Sequence, residues 1–126
     1  MIASTTDTTR VTLERMYAAA HDSDVAALAS LMHPQVRVDE PSFLPYGGTY
    51  TGLDEFAAVF TEAAKVLDMP KLRIHSITAE DENAFAIVTV PLVDSAQTIS
   101  IVEHWTVADG LITTGRIYWF DRPTET

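Results

Sequence analysis

The hydrophobic period of this chain changes near Pro70, and that change limits its possible folds more than any other feature. Before Pro70, three segments space their apolar residues for helices; after it, every apolar run has strand character. Leu13, Met16, Tyr17 and Ala20 lie at i, i+3, i+4 and i+7 and predict one apolar face for a helix over Val11–Ala20. His21-Asp22-Ser23 interrupts it. Ser23 reads as the N-cap and Asp24 as the first-turn acid of a short helix lined by Val25, Leu28 and Met32, with Leu31 close by, ending at Pro34. Gln35–Glu40 alternates as a short strand stopped by Pro41, and Ser42–Thr51 reads as a loop with Pro45, Gly47 and Gly48. After Gly52, Phe56, Val59, Phe60, Ala63 and Leu67 form a long helical stripe closed by Pro70.

Four runs follow that are rich in β-branched and aromatic residues: 72–77, 84–92, 98–108 and 111–120. Turn-forming clusters separate them, and Asp109-Gly110 is a strong two-residue hairpin signal. Helices followed by a strand meander predict an α+β domain with its helices on one face of the sheet. The run 84–92 is apolar on both faces, so its outer face is expected to be covered as well. A second copy in a homodimer is the simplest cover, and a monomer with a few exposed apolar residues is the alternative.

A length of 126 residues suits one domain, and 47% hydrophobic residues suffice for its core. Residues 1–8 read as a disordered tail, 9–122 as the domain and 123–126 as a second tail. The polar, threonine-rich start has no apolar signal region, no run is long enough to span a membrane, and a cytoplasmic location is expected. The absence of cysteine excludes disulfides, thiolate metal sites and thiol nucleophiles. A net charge of −10 disfavours nucleic acid and anionic lipid as partners and favours neutral ligands. His21, His33, His75 and His104 lack metal-ligand spacing, and Gly47-Gly48 lacks the context of a phosphate loop, so neither a metal nor a cofactor is expected.

Glu103 is the most informative position. It interrupts an alternating face of Ile99, Ile101, Trp105 and Val107, and a carboxylate on such a face must find a partner or stay protonated. It serves either chemistry or structure, in the second case satisfied by Tyr17, Arg73 or a backbone group. Glu40 falls on the Val36–Val38 side of its strand, which directs it inward. A strand-end carboxylate reaching solvent is the other reading, and Asp39 replaces it if the register slips by one.

The order of elements, Val38-Asp39-Glu40-Pro41, Leu44-Pro45-Tyr46-Gly47-Gly48-Thr49-Tyr50 with Gly52, and Val102-Glu103-His104-Trp105-Thr106-Val107 before Asp109-Gly110 resemble the SnoaL-like and ketosteroid isomerase-like branch of the nuclear transport factor 2-like superfamily. The resemblance spans about Arg10 to Asp121. It implies a curved antiparallel sheet wrapped as a cone around the long helix, with two further N-terminal helices and a deep apolar pocket. It also implies Glu40 as general base, where the isomerase has Asp, and Glu103 as neutral acid of an oxyanion hole. The family's third element is a first-helix tyrosine that donates to the substrate oxyanion; Met16 falls at its position and Tyr17, the candidate for that role, one residue later, a rotation of about 100°.

The implied pocket takes Met16 from the first helix, Phe56 and Phe60 from the long helix, Trp105, Gly115, Ile117 and Trp119 from the last strands, and Phe43, Tyr46 and Tyr50 at its mouth, with Gly115 leaving room for a flat ligand. The function implied is a cofactor-free isomerase, aldol cyclase or dehydratase acting on a small hydrophobic carbonyl compound. A non-catalytic small-molecule binding or dimerisation module is the alternative. An epoxide hydrolase, which needs Arg73 or Arg116 between two carboxylates, is the third reading.

Overall fold

A computed structural model describes residues 4–124. The first helix, α1 (Thr5–His21), begins well before the expected Val11. Ser4 caps it, its hydroxyl accepting from the Asp7 amide at 3.0 Å. The disordered tail expected over residues 1–8 is thereby corrected from Ser4 onward, and Met1–Ala3 lie outside the described residues. The reason is long-range. The Thr9 hydroxyl donates to the Asp81 carbonyl at 2.6 Å, the Arg10 guanidinium to the Ile77 carbonyl at 2.8 Å, and the Asp81 amide to the Thr6 hydroxyl at 2.8 Å. Threonines that look solvated in sequence thus bind the helix to a distant hairpin, and Thr9 is 1% exposed.

The second helix, α2 (Val25–Ser30), is capped by Asp24, which accepts from the Ala27 amide, and not by Ser23; Ser23 takes a left-handed backbone with φ 53°. It is followed at once by β1 (Met32–Glu40), so Met32 and Pro34 belong to a strand and not to a helix end. The strand tolerates Pro34 because its register shifts between Met32 and Arg37. The expected loop contains a further short strand, β2 (Gly48–Thr51). Helix α3 (Leu53–Val66) ends before Pro70: Leu67 is already extended, the Asp68 amide donates to the Pro91 carbonyl, and Pro70 sits in a 3-10 turn, Met69–Lys71.

Strands β3 (Arg73–Glu80), β4 (Asn83–Pro91), β5 (Thr98–Ala108) and β6 (Leu111–Trp119) form the meander expected. Asp109 and Gly110, with φ 52° and 76°, make the two-residue turn that pairs Ala108 with Leu111. The curved open sheet has the order β2-β1-β6-β5-β4-β3 and is antiparallel except where β1 runs parallel to β6. Its inner face carries the core, with Ala84, Ala86, Val88 and Val90 of β4 fully buried against the helical layer. On the other face of the same strand, Phe85 and Ile87 are 45% and 48% exposed.

Candidate active site

Register places the acidic residues. Val38 pairs with Gly115 and Asp39 with Arg116 on one side of β6, while Ile117 pairs with Glu103 on the other. Glu40, Ile117 and Glu103 therefore lie in one row across three neighbouring strands. Two strand spacings separate the backbones of the two glutamates, about 10 Å, and both side chains line one apolar cavity of about 80 Å³ under α1 and α3. Asp39 takes the opposite side, bound by Arg37 and Thr49.

Glu103 is held from α1. The Tyr17 hydroxyl donates to its Oε1 at 2.6 Å, and the Trp105 indole N–H donates to the Tyr17 oxygen at 3.1 Å. The 100° step between Met16 and Tyr17 does not remove the tyrosine from the site, because both residues face the cavity. Arg73, a candidate partner for Glu103 by sequence, is exposed at the start of β3. Burial pushes the Glu103 carboxyl above its usual range, and the Tyr17 and Trp105 donors pull it back. Glu40 is opposed by no such donors among the described residues. Desolvation first and the Glu103 charge second push it from 4.5 up to about 8. Burial, then the Glu103 charge and the bond to it, raise the Tyr17 hydroxyl well above its ordinary value, so it stays protonated.

Met16, Tyr46, Phe56, Phe60, Trp105, Ile117 and Trp119 line the cavity, as their sequence positions imply. Three expectations are corrected, those for Tyr50, Gly115 and Phe43. Tyr50 does not line it; its hydroxyl donates to the Tyr46 carbonyl at 2.7 Å and so fixes the loop that carries Tyr46. Gly115 leaves no space for a ligand. A Cβ there would stand 2.2–2.9 Å from the Trp105 ring, so the glycine makes room for the indole that supports Tyr17. Phe43 lies outside the cavity, edge-on to Trp119 at 5.8 Å, and lines an adjoining surface groove. Glu40, Ile117 and Trp119 border both spaces and form the wall between them. Sequence reasoning missed the lining residues Met69 and Leu72, because nothing in the sequence marks a 3-10 turn as a cavity wall. Two buried polar atoms on the cavity residues, the Tyr46 hydroxyl oxygen and the Trp119 indole nitrogen, have no hydrogen-bond partner among the described residues. Neither Arg73 nor Arg116 lines the cavity; both are exposed, and Arg116 lies over the Tyr118 ring.

A curved sheet closed by helices over a cavity with two facing carboxyls defines a pocket protein of the nuclear transport factor 2-like superfamily, ketosteroid isomerase-like in form. The SnoaL-like domain model matches residues 13–114, and the chain belongs to that family. The match ends just before the β6 residues that complete the cavity. No curated protein matches the chain. Solved structures share its fold at low identity. A putative ketosteroid isomerase from Kribbella flavida is 19% identical with a TM-score of 0.81, over 98% of this chain and 85% of that one. An NTF2-like protein of unknown function from Burkholderia pseudomallei is 23% identical with a TM-score of 0.77, over 89% and 90%. TerC, co-crystallised with polyporic acid, is 21% identical with a TM-score of 0.77, over 89% and 91%.

The raised carboxyls determine how stability responds to pH. A folded-state value above the unfolded one means that the folded protein binds the proton more tightly. The resulting stability is fully present below the unfolded value of 4.5 and is lost as pH rises toward about 8 for Glu40, with Glu103 adding in the same direction. Each group contributes a slope of at most about 1.4 kcal/mol per pH unit. Urea denaturation at about pH 5.5, 7 and 8.5 should show wild-type stability falling across the series and a flatter profile for Glu40→Gln. Parallel profiles would contradict the burial of Glu40 as an acid.

Proposed function

We propose that this protein is a cofactor-free acid/base catalyst that moves a proton next to the carbonyl group of a small apolar compound. The observation that carries this reading is the pairing of two carboxyls of unequal environment on one apolar cavity. Two partly buried carboxylates on one apolar cavity repel each other, so near neutral pH the pair retains a proton. Glu103, with hydrogen-bond support from Tyr17 and Trp105, is the better anion; Glu40, unsupported, is the better acid. The resemblance to ketosteroid isomerase implied the reverse, with Glu40 as base and Glu103 as neutral acid. The hydrogen bonds favour Glu103 as the base and Glu40 as the proton donor, with Tyr17 positioning Glu103. The similar fold of a putative ketosteroid isomerase supports the reaction class, and TerC, co-crystallised with polyporic acid, supports a small-molecule ligand. A water-activating epoxide hydrolase receives no support, since no arginine lines the cavity.

The cavity is about 80 Å³, roughly half the ~150 Å³ in which an engineered apolar cavity accepts benzene. As it stands the cavity is smaller than a one-ring ligand needs, so one ring is the upper size and its binding requires the walls to give way. Cyclopentanone is a suitable test compound. Exchange of its α-protons in deuterated water, followed by NMR, should be accelerated by the protein. Both Glu103→Gln and Glu40→Gln should slow it by about 100-fold or more. Activity should decline above about pH 8, where Glu40 loses its proton. Exchange no faster than in buffer, together with ring-ligand binding that survives both substitutions, would identify a non-catalytic binding module instead.

The outer sheet face supports a homodimer. Phe85, Ile87, Val102 and Tyr118 are exposed on β4, β5 and β6, and the Phe85 ring stacks on His104 at 4.3 Å. Light scattering should give twice the chain mass for the wild type and the chain mass for Ile87→Asp. A monomeric wild type would rule the dimer out.

A further inference from the structure

Four aromatic residues that line the cavity carry a polar side-chain atom, and they divide into two kinds. Tyr17 and Trp105 are committed, since the indole donates to the tyrosine and the tyrosine to Glu103. Tyr46 and Trp119 are not: the Tyr46 hydroxyl and the Trp119 indole N–H are buried with no hydrogen-bond partner among the described residues. Burying a donor without a partner costs free energy, so native structures seldom contain one without a reason. Packing supplies no reason here, because phenylalanine offers the same ring at position 46 without the hydroxyl.

Both side chains border a space small enough for one ligand to meet both. Tyr46 is 6% exposed, on the loop after β1, and Trp119 ends β6; each lines the same cavity as Glu40 and Glu103. The charges of both glutamates act on the Tyr46 hydroxyl, raising its pKa after burial, which places it near them and keeps it protonated as a donor. An indole nitrogen can only donate, and a carbonyl oxygen offers two lone pairs and no proton.

We propose that the Tyr46 hydroxyl and the Trp119 indole N–H form the seat for a ligand's carbonyl oxygen, so that the cavity selects small apolar ketones over hydrocarbons of equal shape. Tyr17, the tyrosine implied for this task by family resemblance, is a positioning residue for Glu103 instead. The seat deepens the acid/base reading and rests on it only for the reactive role of that oxygen. Ketone binding itself requires no turnover.

The test compares cyclopentanone with methylenecyclopentane, in which CH2 replaces the oxygen. Dissociation constants are measured on wild type and Tyr46→Phe. The variant should bind cyclopentanone several-fold more weakly, on the order of 2–10-fold for one neutral hydrogen bond, and methylenecyclopentane as well as before or better. Its thermal midpoint should rise, because an unpaired buried hydroxyl has been removed. Equal changes for the two ligands, or a lowered midpoint, would overturn the seat by showing the hydroxyl to be structural. The wild type gives a second reading. It has two tryptophans, and of its two indole N–H resonances, that of Trp119 should move with cyclopentanone and stay with methylenecyclopentane. Identical responses to both ligands would count against the proposal. Loss of ketone preference with α-proton exchange intact removes the seat alone; ketone preference without exchange removes the acid/base reading alone.

Discussion

The hydrogen bond from Tyr17 to Glu103 links the helical layer to the sheet at the point where the fold is least tolerant of charge. Glu103 occupies the inner face of β5 between Ile101 and Trp105, where water cannot solvate it freely. Without a donor its carboxyl would have to stay protonated or force that face apart. The 2.6 Å bond gives it a partner, and the Trp105 indole holds the tyrosine oxygen in turn. This chain of contacts depends on Gly115, since any side chain there would strike the Trp105 ring. One glycine on β6, one tryptophan on β5 and one tyrosine on α1 thus determine the charge state available at a single carboxyl.

The rest of the site follows from strand order. Because β1 enters the sheet parallel to β6, Glu40 is brought into the same row as Glu103, one strand beyond Ile117. The two carboxyls share a cavity but not an environment. One has donors and the other has only burial and a neighbouring negative charge. Their difference in proton affinity comes from packing and not from residue type, and the proposed division into acid and base rests on that difference.

Much of this is legible in the amino-acid sequence. The meander can be read because strand alternation and Asp109-Gly110 are local signals. Glu103 stands out because an acid on an apolar face is conspicuous at a period of two. What stays hidden depends on contacts distant in sequence. Thr6, Thr9 and Arg10 look like a frayed start until the turn at Asp81 receives them. The four residues of β2 are mostly exposed and too short for a pattern. Gly115 suggests space, and only the register that sets it opposite Trp105 shows that the space is filled. The unpartnered donors of Tyr46 and Trp119 are visible as residue types, but whether a hydroxyl or an indole N–H finds a partner depends on rotamers that sequence does not carry.

The proposed chemistry rests on coupling between the two cavity carboxyls, with desolvation first and the neighbouring Glu103 charge second holding the proton on Glu40. Carbon-13 NMR titration of glutamate carboxyls, assigned with the single glutamine variants, measures this directly. Coupling predicts a Glu40 midpoint near 8 in the wild type, a lower midpoint for Glu103, and a fall in the Glu40 value when Glu103→Gln removes the neighbouring charge. A Glu40 carboxyl that titrates in the ordinary range of about 4–5, unmoved by the change at Glu103, would contradict it.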